Sequence, residues 1–414
     1  MLGKVAFIPL VSKIHDENKV KEALRKIEPY VAKYADIKFP KISSISEIEE
    51  IPSKNIAAYL IYILTGGVEH LALKLSRRRI PVAIIAHEEQ NSLAASLELK
   101  ARLNYEKIPS EIFMLGSYEF ERDLKSFIKA SKALFRLRKN PILLIGDPSP
   151  WLIYSNMQLN SLARDFDLNY DKVSVEYLIN RFKKISRNEI EKLLEKYSII
   201  ERKEPSIDDL ISSLKLYVAI RDVLRERKID IFTIRCFDLL DYGLTACLPL
   251  SMLNSEGFIG GCEGDILATL SMAILSSISE RPSFVGNVVW IERDYVLFAH
   301  CMVPLKLTKY FRFRLHFESN KGLSVEGHFT PGETVTFMRI DGVRRILRAG
   351  KGVLANEEPI MVNACRTQML VKVFGDSEKL VKDTIGNHYV LTFGNYIEEL
   401  KHFAKIINYS FDEV

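Results

Sequence analysis

The stretch IAAYLIYIL, residues 56–64, indicates the fold class because nine consecutive apolar side chains leave no polar face for solvent. VAFIPLV at residues 5–11 precedes it and PVAIIA at residues 81–86 follows it, with helix-period segments between the runs. Apolar strands that alternate with helices are typical of a parallel sheet covered on both faces. The sequence therefore predicts an α/β domain, Rossmann-like or flavodoxin-like, over residues 1–138.

A second α/β domain is predicted over residues 139–278, because the same alternation begins again with the strand PILLIGD at residues 141–147. Ser206 and Asp209 have the spacing of a capping box, which predicts a helix that begins at this point. Two further strands close the domain: IDIFTIRC at residues 229–236 and GFIGG at residues 257–261.

The pattern changes after residue 278 to short alternating runs, which predict an antiparallel β-barrel-like domain over residues 279–414. TVTFMRI at residues 334–340 and VRRILRA at residues 343–349 are separated by Asp341-Gly342, a signal for a two-residue hairpin turn. A helix near residues 397–407 is expected to close the domain.

The composition argues against several classes of partner. Lys and Arg total 58 and Asp and Glu total 53, with the basic residues scattered among acidic neighbours, so no nucleic-acid partner is expected. No apolar window reaches the length of a membrane span, and the amino-terminal run lacks a small-residue cleavage site, so neither a membrane partner nor a signal peptide is expected. Five cysteines without a CxxC pair suit a reducing compartment, which predicts a cytoplasmic protein.

Two carboxylates follow the strand GFIGG, where loops at the carboxyl edge of an open α/β sheet bind ligands. Glu263 and Asp265 are therefore candidate site residues. On the alternative interpretation, Asp265 only caps the following helix and Glu263 is a solvated acid.

Two of the eight histidines are placed to converge on a carboxylate from another domain. His300 ends an apolar strand, and His388 follows Gly386-Asn387, whereas His316 and His328 are typical of satisfied strand residues. Oxygen and imidazole donors without clustered thiolates favour Mn²⁺, or Mg²⁺, over a structural zinc ion.

Several motifs together resemble the L-fucose/L-arabinose isomerase superfamily, especially its compact archaeal and bacterial fucose-isomerase-like members. The motifs are GCEGDILATLSMAILSSISERPSFVGN (261–287), LFAHC (297–301), CRTQM (365–369), GNHYVLTFGNY (386–396), LTGGVEHLAL (64–73), IIAHEEQNSLAASLE (84–98) and LIGDPSPWLIYS (144–155). The resemblance implies two α/β domains followed by a β-rich domain, aldose–ketose isomerisation with a divalent metal, usually Mn²⁺, and a homo-oligomer, trimeric or hexameric.

The resemblance also implies roles for individual residues. Glu263 resembles the metal-binding carboxylate that also serves in acid/base transfer. His388 resembles the carboxyl-terminal histidine ligand, and His300 resembles a further histidine that arabinose isomerases use at the metal.

The chain departs from the family pattern at Asn287, where fucose isomerases have a second acidic ligand. Asn287 is predicted as a metal ligand and as a catalytic residue; its amide oxygen can bind a metal, but an amide cannot relay a proton. Either another acid, such as Glu292 or Asp265, takes the second role, or the chemistry differs.

Substrate contacts are predicted at His87, Trp151, Arg235 and Asp265. Family members place the amino-terminal domain of one subunit over the site of the next, which would bring His87 to a neighbour's site, although a helix-start histidine that only caps is an equal alternative. Trp151 would stack on a sugar face or lie in the core. Arg235 ends a strand at the ligand-binding edge, and an ion pair with Asp238 is its simpler role.

The predicted function is a metal-dependent aldose–ketose isomerase that moves a proton between C1 and C2 of a monosaccharide or sugar derivative through an enediol. One alternative keeps the scaffold and changes the reaction to epimerisation or to aldol or transaldol transfer, with Lys306 or Lys309 as a Schiff-base lysine. Another is a sugar-binding sensor without catalysis, which would need neither Glu263 nor His388.

Overall fold

The structure is a computed structural model that describes residues 3–414, and its chain packs as two units. Unit 1 runs to Arg136 and includes Glu398–Ser410, whereas unit 2 consists of Leu137–Ile397 and Phe411–Val414. The predicted carboxyl-terminal helix is present, and most of it belongs to unit 1. The domain boundaries predicted at residues 138 and 278 stay predictions.

Unit 1 is built on a parallel sheet. In the described part of this unit the strands are β1 (Lys4–Leu10), β2 (Ile37–Lys38), β3 (Ile56–Ile63), β4 (Val82–Ala86) and β5 (Ser110–Met114). Their order is β2-β1-β3-β4-β5, that of a flavodoxin-like sheet, and neighbouring strands are parallel. Strand β3 is buried along its whole length, which confirms the predicted sheet with both faces covered.

Helices cover the sheet of unit 1 through regularly spaced apolar side chains. They are α1 (Glu17–Tyr34), α2 (Ile45–Glu50), α3 (Glu69–Ser76), α4 (Ser92–Tyr105) and α5 (Phe120–Lys139). In α1 the buried positions Val20, Ala23, Ile27 and Val31 follow the helical period, and the Asp16 carboxylate caps the first turn.

The first part of unit 2 is a second parallel sheet with its helices. The strands are β6 (Ile142–Ile145), β7 (Tyr170–Val173), β8 (Ile231–Ile234) and β9 (Ile259–Gly261), in the order β7-β6-β8-β9. The helices are α6 (Ile153–Asn156), α7 (Leu159–Phe166), α8 (Val175–Phe182), α9 (Glu191–Ser198), α10 (Ile207–Arg227), α11 (Cys247–Glu256) and α12 (Ile266–Ser279), with short 3-10 helices at Asn188–Ile190 and Cys236–Tyr242. The predicted capping box at Ser206 and Asp209 is confirmed.

The rest of unit 2 is a closed antiparallel barrel. The strands of this region are β10 (Phe284–Glu292), β11 (Tyr295–His300), β12 (Tyr310–Arg314), β13 (Ser324–His328), β14 (Thr334–Asp341), β15 (Ile346–Leu354), β16 (Thr367–Val373), β17 (His388–Phe393) and β18 (Ser410–Glu413). The main sheet has the order β14-β17-β10-β11-β16-β15-β18, and pairing of β14 with β15 closes it, while β12 and β13 form a separate hairpin. The helices of this region are a 3-10 helix at Leu305–Leu307 and α13 (Lys379–Lys382), and α14 (Ile397–Ile406), most of which belongs to unit 1, follows β17 in the chain.

The hairpin predicted around Asp341 is present, but its turn differs from the prediction. Asp341 pairs with Ile346, so the connection has four residues and not two. The Asp341 Oδ1 atom accepts hydrogen bonds from the backbone N–H groups of Val343 and Arg344, both at 2.9 Å. This local side-chain bond stabilises the longer turn in place of the tight one.

Helix α12 connects the second sheet to the barrel. Nearly all of its residues are buried, because it packs against β8 and β9 on one side and against β14 and β17 on the other. The helix begins immediately after the loop that follows β9. The end of β9, the start of α12 and the start of β17 therefore lie together, and this is where the candidate site forms.

Candidate metal centre

Glu263 lies in a tight loop between β9 and α12. Both Glu263 (φ 61°) and Gly264 (φ 67°) have left-handed backbone conformations, which are unfavourable for a residue with a side chain. At Gly264 a Cβ atom would lie 2.7 Å from the Asp147 carbonyl oxygen, so only glycine fits. The Glu263 carbonyl accepts a hydrogen bond from the Ser149 N–H at 3.1 Å, and these contacts hold the loop in a conformation that presents the carboxylate.

Glu263, His300 and His388 converge in unit 2. One ligand atom from each lies within 4.8 Å of the others, and the Glu263 Oε1 atom is 3.8 Å from Nε2 of each histidine. His300 is supplied by the end of β11 and His388 by the start of β17. The structure thus brings together three of the four predicted metal-ligating side chains, as a group that could hold one metal ion.

Asp265 orients His388. Its Oδ1 atom accepts from the Ala268 N–H at 2.8 Å and caps α12, while its Oδ2 atom lies 2.9 Å from His388 Nδ1. Burial raises the pKa of Asp265, but the hydrogen bond and the charge of His388 outweigh it, so that the pKa lies below its ordinary value. Because a carboxylate only accepts, this hydrogen bond places a proton on Nδ1, and in the neutral imidazole the lone pair then lies on Nε2, on the side of Glu263.

The imidazole nitrogens on the side of Glu263 are unsatisfied. His388 Nε2 and both ring nitrogens of His300 are buried and have no hydrogen-bond partner among residues 3–414. Burial, followed by the charges of His388 and His316, lowers the pKa of His300 to about 3, so its ring is neutral at neutral pH. Neutral imidazoles with free lone pairs are the form that binds metals.

Trp151 lies beside the centre, and its predicted contact with a substrate stays a prediction. Its Nε1–H donates to Glu263 Oε2 at 2.9 Å, and about half of its surface is exposed (49%). The indole packs edge-on against Phe237, with ring centroids 5.0 Å apart. Trp151 is therefore positioned both to fix the Glu263 carboxylate and to offer an aromatic face to a ligand.

Asn287 lies next to His388. The two residues are directly opposite in the antiparallel pairing of β10 and β17, so their side chains are neighbours on one face. The Asn287 Oδ1 atom accepts from Asn387 Nδ2 at 2.8 Å. Its part in metal binding and catalysis stays a prediction.

The other predicted substrate contacts have partners of their own. Arg235 Nε lies 2.9 Å from Asp238 Oδ1, the ion pair weighed as its simpler role. The Asp265 side chain is fully buried, and both of its oxygens are occupied within the chain. His87, in unit 1, is buried, with Nε2 3.1 Å from the Leu64 carbonyl oxygen.

Of the two lysines weighed for Schiff-base chemistry, Lys309 does not have the expected environment. A Schiff-base lysine requires a lowered pKa. The hydrogen bond between Lys309 Nζ and Glu357, at 2.8 Å, raises the pKa of this lysine instead. The backbone N–H of Lys306 donates to Ser255 Oγ at 3.2 Å, and the part of Lys306 in Schiff-base chemistry stays a hypothesis.

Three residues near the centre were not predicted from the sequence as site residues: Phe237, His316 and Glu318. The His316 ring is buried and lies edge-on to Phe237, with centroids 5.9 Å apart, and Phe237 in turn contacts Trp151. Burial, followed by the negative charge of Glu263, raises the pKa of Glu318. The only signal in the sequence was the polar HFES segment that ends an alternating strand.

A partly buried carboxylate, two buried imidazoles with unpartnered nitrogens and a second carboxylate that orients one of them define a candidate mononuclear metal centre. Among residues 3–414, no helix is both long and apolar enough to cross a membrane.

Comparison with known proteins finds sugar isomerases. The chain is similar to proteins named sulfoquinovose isomerase from Priestia aryabhattai and Priestia megaterium, with 21% identity over 301 residues in each case. These matches cover 68% of this chain and 66% of each relative. A protein of the same name from a Clostridium species is 23% identical over 210 residues, which cover 47% of this chain and 46% of the relative. No family model matches the chain.

Proposed function

We propose that the protein is a metal-dependent aldose–ketose isomerase of the L-fucose/L-arabinose isomerase type. The observation that carries the proposal is the convergence of Glu263, His300 and His388, with Asp265 orienting His388. The relatives named sulfoquinovose isomerase support the same reaction class.

The residues fit a divalent cation such as Mn²⁺ or Mg²⁺. Glu263 would supply an oxygen donor, and His300 and His388 would supply nitrogens that have no partner in the described chain. Asn287, opposite His388, would add an amide oxygen. When bound, the cation would hold the substrate oxygens on C1 and C2 and stabilise the negative charge that develops on them.

The side chains of the chain carry the proton transfer. Glu263 takes the proton from C2 of the aldose and returns it to C1, so that it is a carboxylate again at the end of the reaction. Trp151 N–H holds the second oxygen of this carboxylate and fixes its orientation. Phe237 and Trp151, whose rings pack edge-on, offer an aromatic surface on which the sugar packs.

Sulfoquinovose is the first substrate to test, since it is the sugar in the names of the relatives. L-fucose, L-arabinose and D-arabinose are the next aldoses, because of the superfamily resemblance. The proposal has three further parts. The protein is a homo-oligomer, trimeric or hexameric, and it is located in the cytoplasm. His87, Arg235 and Asp265 contact the substrate.

The proposal is tested by incubating chelator-treated protein with each aldose, with and without added Mn²⁺, and following the ketose by NMR. We expect one of these aldoses to be converted only when the metal is present. The Glu263→Gln variant should be inactive, whereas Glu333→Gln, which changes an exposed acid in a barrel turn, should keep wild-type activity. Sugar binding without metal and without conversion would favour the sensor, and conversion that survives chelation would refute the metal dependence.

A further inference from the structure

We propose that Arg339 is a positioning residue of the metal centre, whose guanidinium holds the His388 backbone and the Trp151 turn (residues 149–156) in one frame. This inference rests on the proposed isomerase function. Arg339 lies in β14 and is fully buried (0% exposed), and each of its three nitrogens donates to an uncharged oxygen. Burial of a charged group is costly unless hydrogen bonds satisfy it, and here these bonds go to two parts of the candidate site.

The first part is the backbone that carries His388. The pairing of β14 with β17 ends at Met338 and Val390, so the carbonyl groups that precede Val390 lie beyond the ladder. The Arg339 Nε–H donates to the Ile385 carbonyl at 2.8 Å, and the Nη1–H donates to the His388 carbonyl at 2.6 Å. The side chain thus continues the connection between the strands where the backbone ladder stops, and it fixes the backbone of a predicted metal ligand.

Gly386 makes room for the guanidinium. This residue has a φ of 130°, and a Cβ atom here would overlap the Arg339 guanidinium. The backbone therefore comes closer to the arginine than a residue with a side chain would allow. Arg339 accounts for the glycine that precedes His388 by two positions.

The second part is the Trp151 turn. The Arg339 Nη2–H donates to Ser155 Oγ at 2.8 Å, and Ser155 is buried in α6. Trp151 precedes α6 by two residues, and its Nε1–H donates to the Glu263 carboxylate. The turn is therefore bonded to Glu263 at one end and to Arg339 at the other.

One guanidinium thus connects two predicted ligands from different elements, since Glu263 follows β9 and His388 begins β17. A guanidinium presents its donors in a rigid planar fork, whereas a lysine amine has all three donors on one atom. Arg339→Lys would keep the charge, but its amine could not span the three acceptors. The geometry of the fork, and not the charge alone, is what positions the centre.

The test compares Arg339→Lys with Arg348→Lys. Arg348 is a matched control, because it is also fully buried and lies directly opposite Arg339 in β15, while its Nε and Nη2 atoms bond Asp412 and Asp383. In calorimetric titrations of chelator-treated protein, we expect Arg339→Lys to lower the Mn²⁺ affinity by about tenfold or more, as for other lost partners of a ligating residue. Arg348→Lys should stay within about twofold of the wild type.

Tryptophan fluorescence tests the second part without metal or substrate. The chain has two tryptophans, so a Trp290→Phe background leaves Trp151 as the only one. Arg339→Lys and Ser155→Ala should both shift the Trp151 emission to longer wavelength, because each removes the bond that holds the turn and a released indole meets more water. Arg348→Lys should leave the emission unchanged. Ser155→Ala keeps the bond to the His388 carbonyl, so its Mn²⁺ affinity should stay within about twofold of the wild type.

The outcomes separate this inference from the proposed function. If the wild type binds Mn²⁺, an unchanged affinity or an unchanged emission in Arg339→Lys would overturn the role of Arg339 alone. A wild type without Mn²⁺ binding would overturn the proposed function, whereas the emission would still decide whether Arg339 holds the Trp151 turn. Circular dichroism accompanies each assay. If Arg339→Lys does not fold, Ser155→Ala, which removes a single hydroxyl, carries the test, and an unchanged emission would then overturn the inference.

Discussion

The substitution Asp265→Asn tests how the centre is oriented. Asp265 uses one oxygen to cap α12 through Ala268 N–H and the other to accept the proton of His388 Nδ1, at 2.8 and 2.9 Å. An asparagine has one oxygen for these two donors. If the oxygen keeps the cap, the amide N–H₂ group faces Nδ1 and favours the imidazole tautomer that carries its proton on Nε2. This tautomer has no lone pair directed at Glu263.

We expect Asp265→Asn to weaken Mn²⁺ binding by about 10- to 100-fold, the usual effect of losing the partner of a ligating histidine. This corresponds to about 1.4–2.7 kcal/mol of binding free energy. The assay is a calorimetric titration of chelator-treated protein. A suitable control is Asp16→Asn, which makes the same change at the cap of α1 in unit 1. An Asp265→Asn affinity within about twofold of the wild type would refute this account of the His388 tautomer, since a tenfold change is the least that the loss of such a partner produces.

Three other predictions concern the loop and its neighbours. Trp151→Phe keeps an aromatic ring but removes the N–H donor to Glu263. The ratio kcat/KM should fall by about tenfold, since a hydrogen bond to a charged group contributes about 1.5 kcal/mol or more. Unchanged initial rates would contradict this expectation. Gly264→Ala should reduce the free energy of unfolding in urea by about 1–3 kcal/mol because of its backbone conformation and its contact with Asp147, and Gly257→Ala, which has a positive φ but open space, should cost less. In metal-free protein, His300 takes up a proton below about pH 6.5 in the unfolded chain but only near pH 3 in the folded chain. The free energy of unfolding of the wild type should therefore decrease between these values as the pH falls. His300→Gln should show a smaller decrease, and equal slopes would contradict the lowered pKa of His300.

The fold was largely predictable because the spacing of apolar residues along the chain indicates which side chains are buried. The run at residues 56–64 became β3, a buried strand of a parallel sheet, and the spacing of Ser206 and Asp209 marked the start of α10. The length of the turn after Asp341 was predicted wrongly. The Asp341-Gly342 pair is typical of a two-residue turn, but the Asp341 side chain accepts backbone hydrogen bonds from Val343 and Arg344, which favour the four-residue turn. The periodicity of α14 predicted a helix, but it did not indicate which unit the helix packs against.

The candidate site was predictable only in part. Glu263, His300 and His388 were singled out by their positions at strand ends and loops, and the family resemblance then implied their roles. Their convergence depends on how α12 packs between the sheet and the barrel. The bond from Asp265 to His388 joins residues 123 positions apart, so no local pattern could reveal it. Glu318 was missed because a single acid in a turn has no periodic signal.

A calorimetric Mn²⁺ titration of chelator-treated wild-type protein beside Glu263→Gln and His388→Ala tests the metal centre itself. We expect one binding site per chain in the wild type and a loss of affinity of at least about tenfold in each variant, since Glu263→Gln replaces an anionic oxygen donor with a neutral amide and His388→Ala removes an imidazole. A wild type that does not bind the metal, or variants that bind it as tightly as the wild type, would contradict the assignment of the centre to Glu263, His300 and His388.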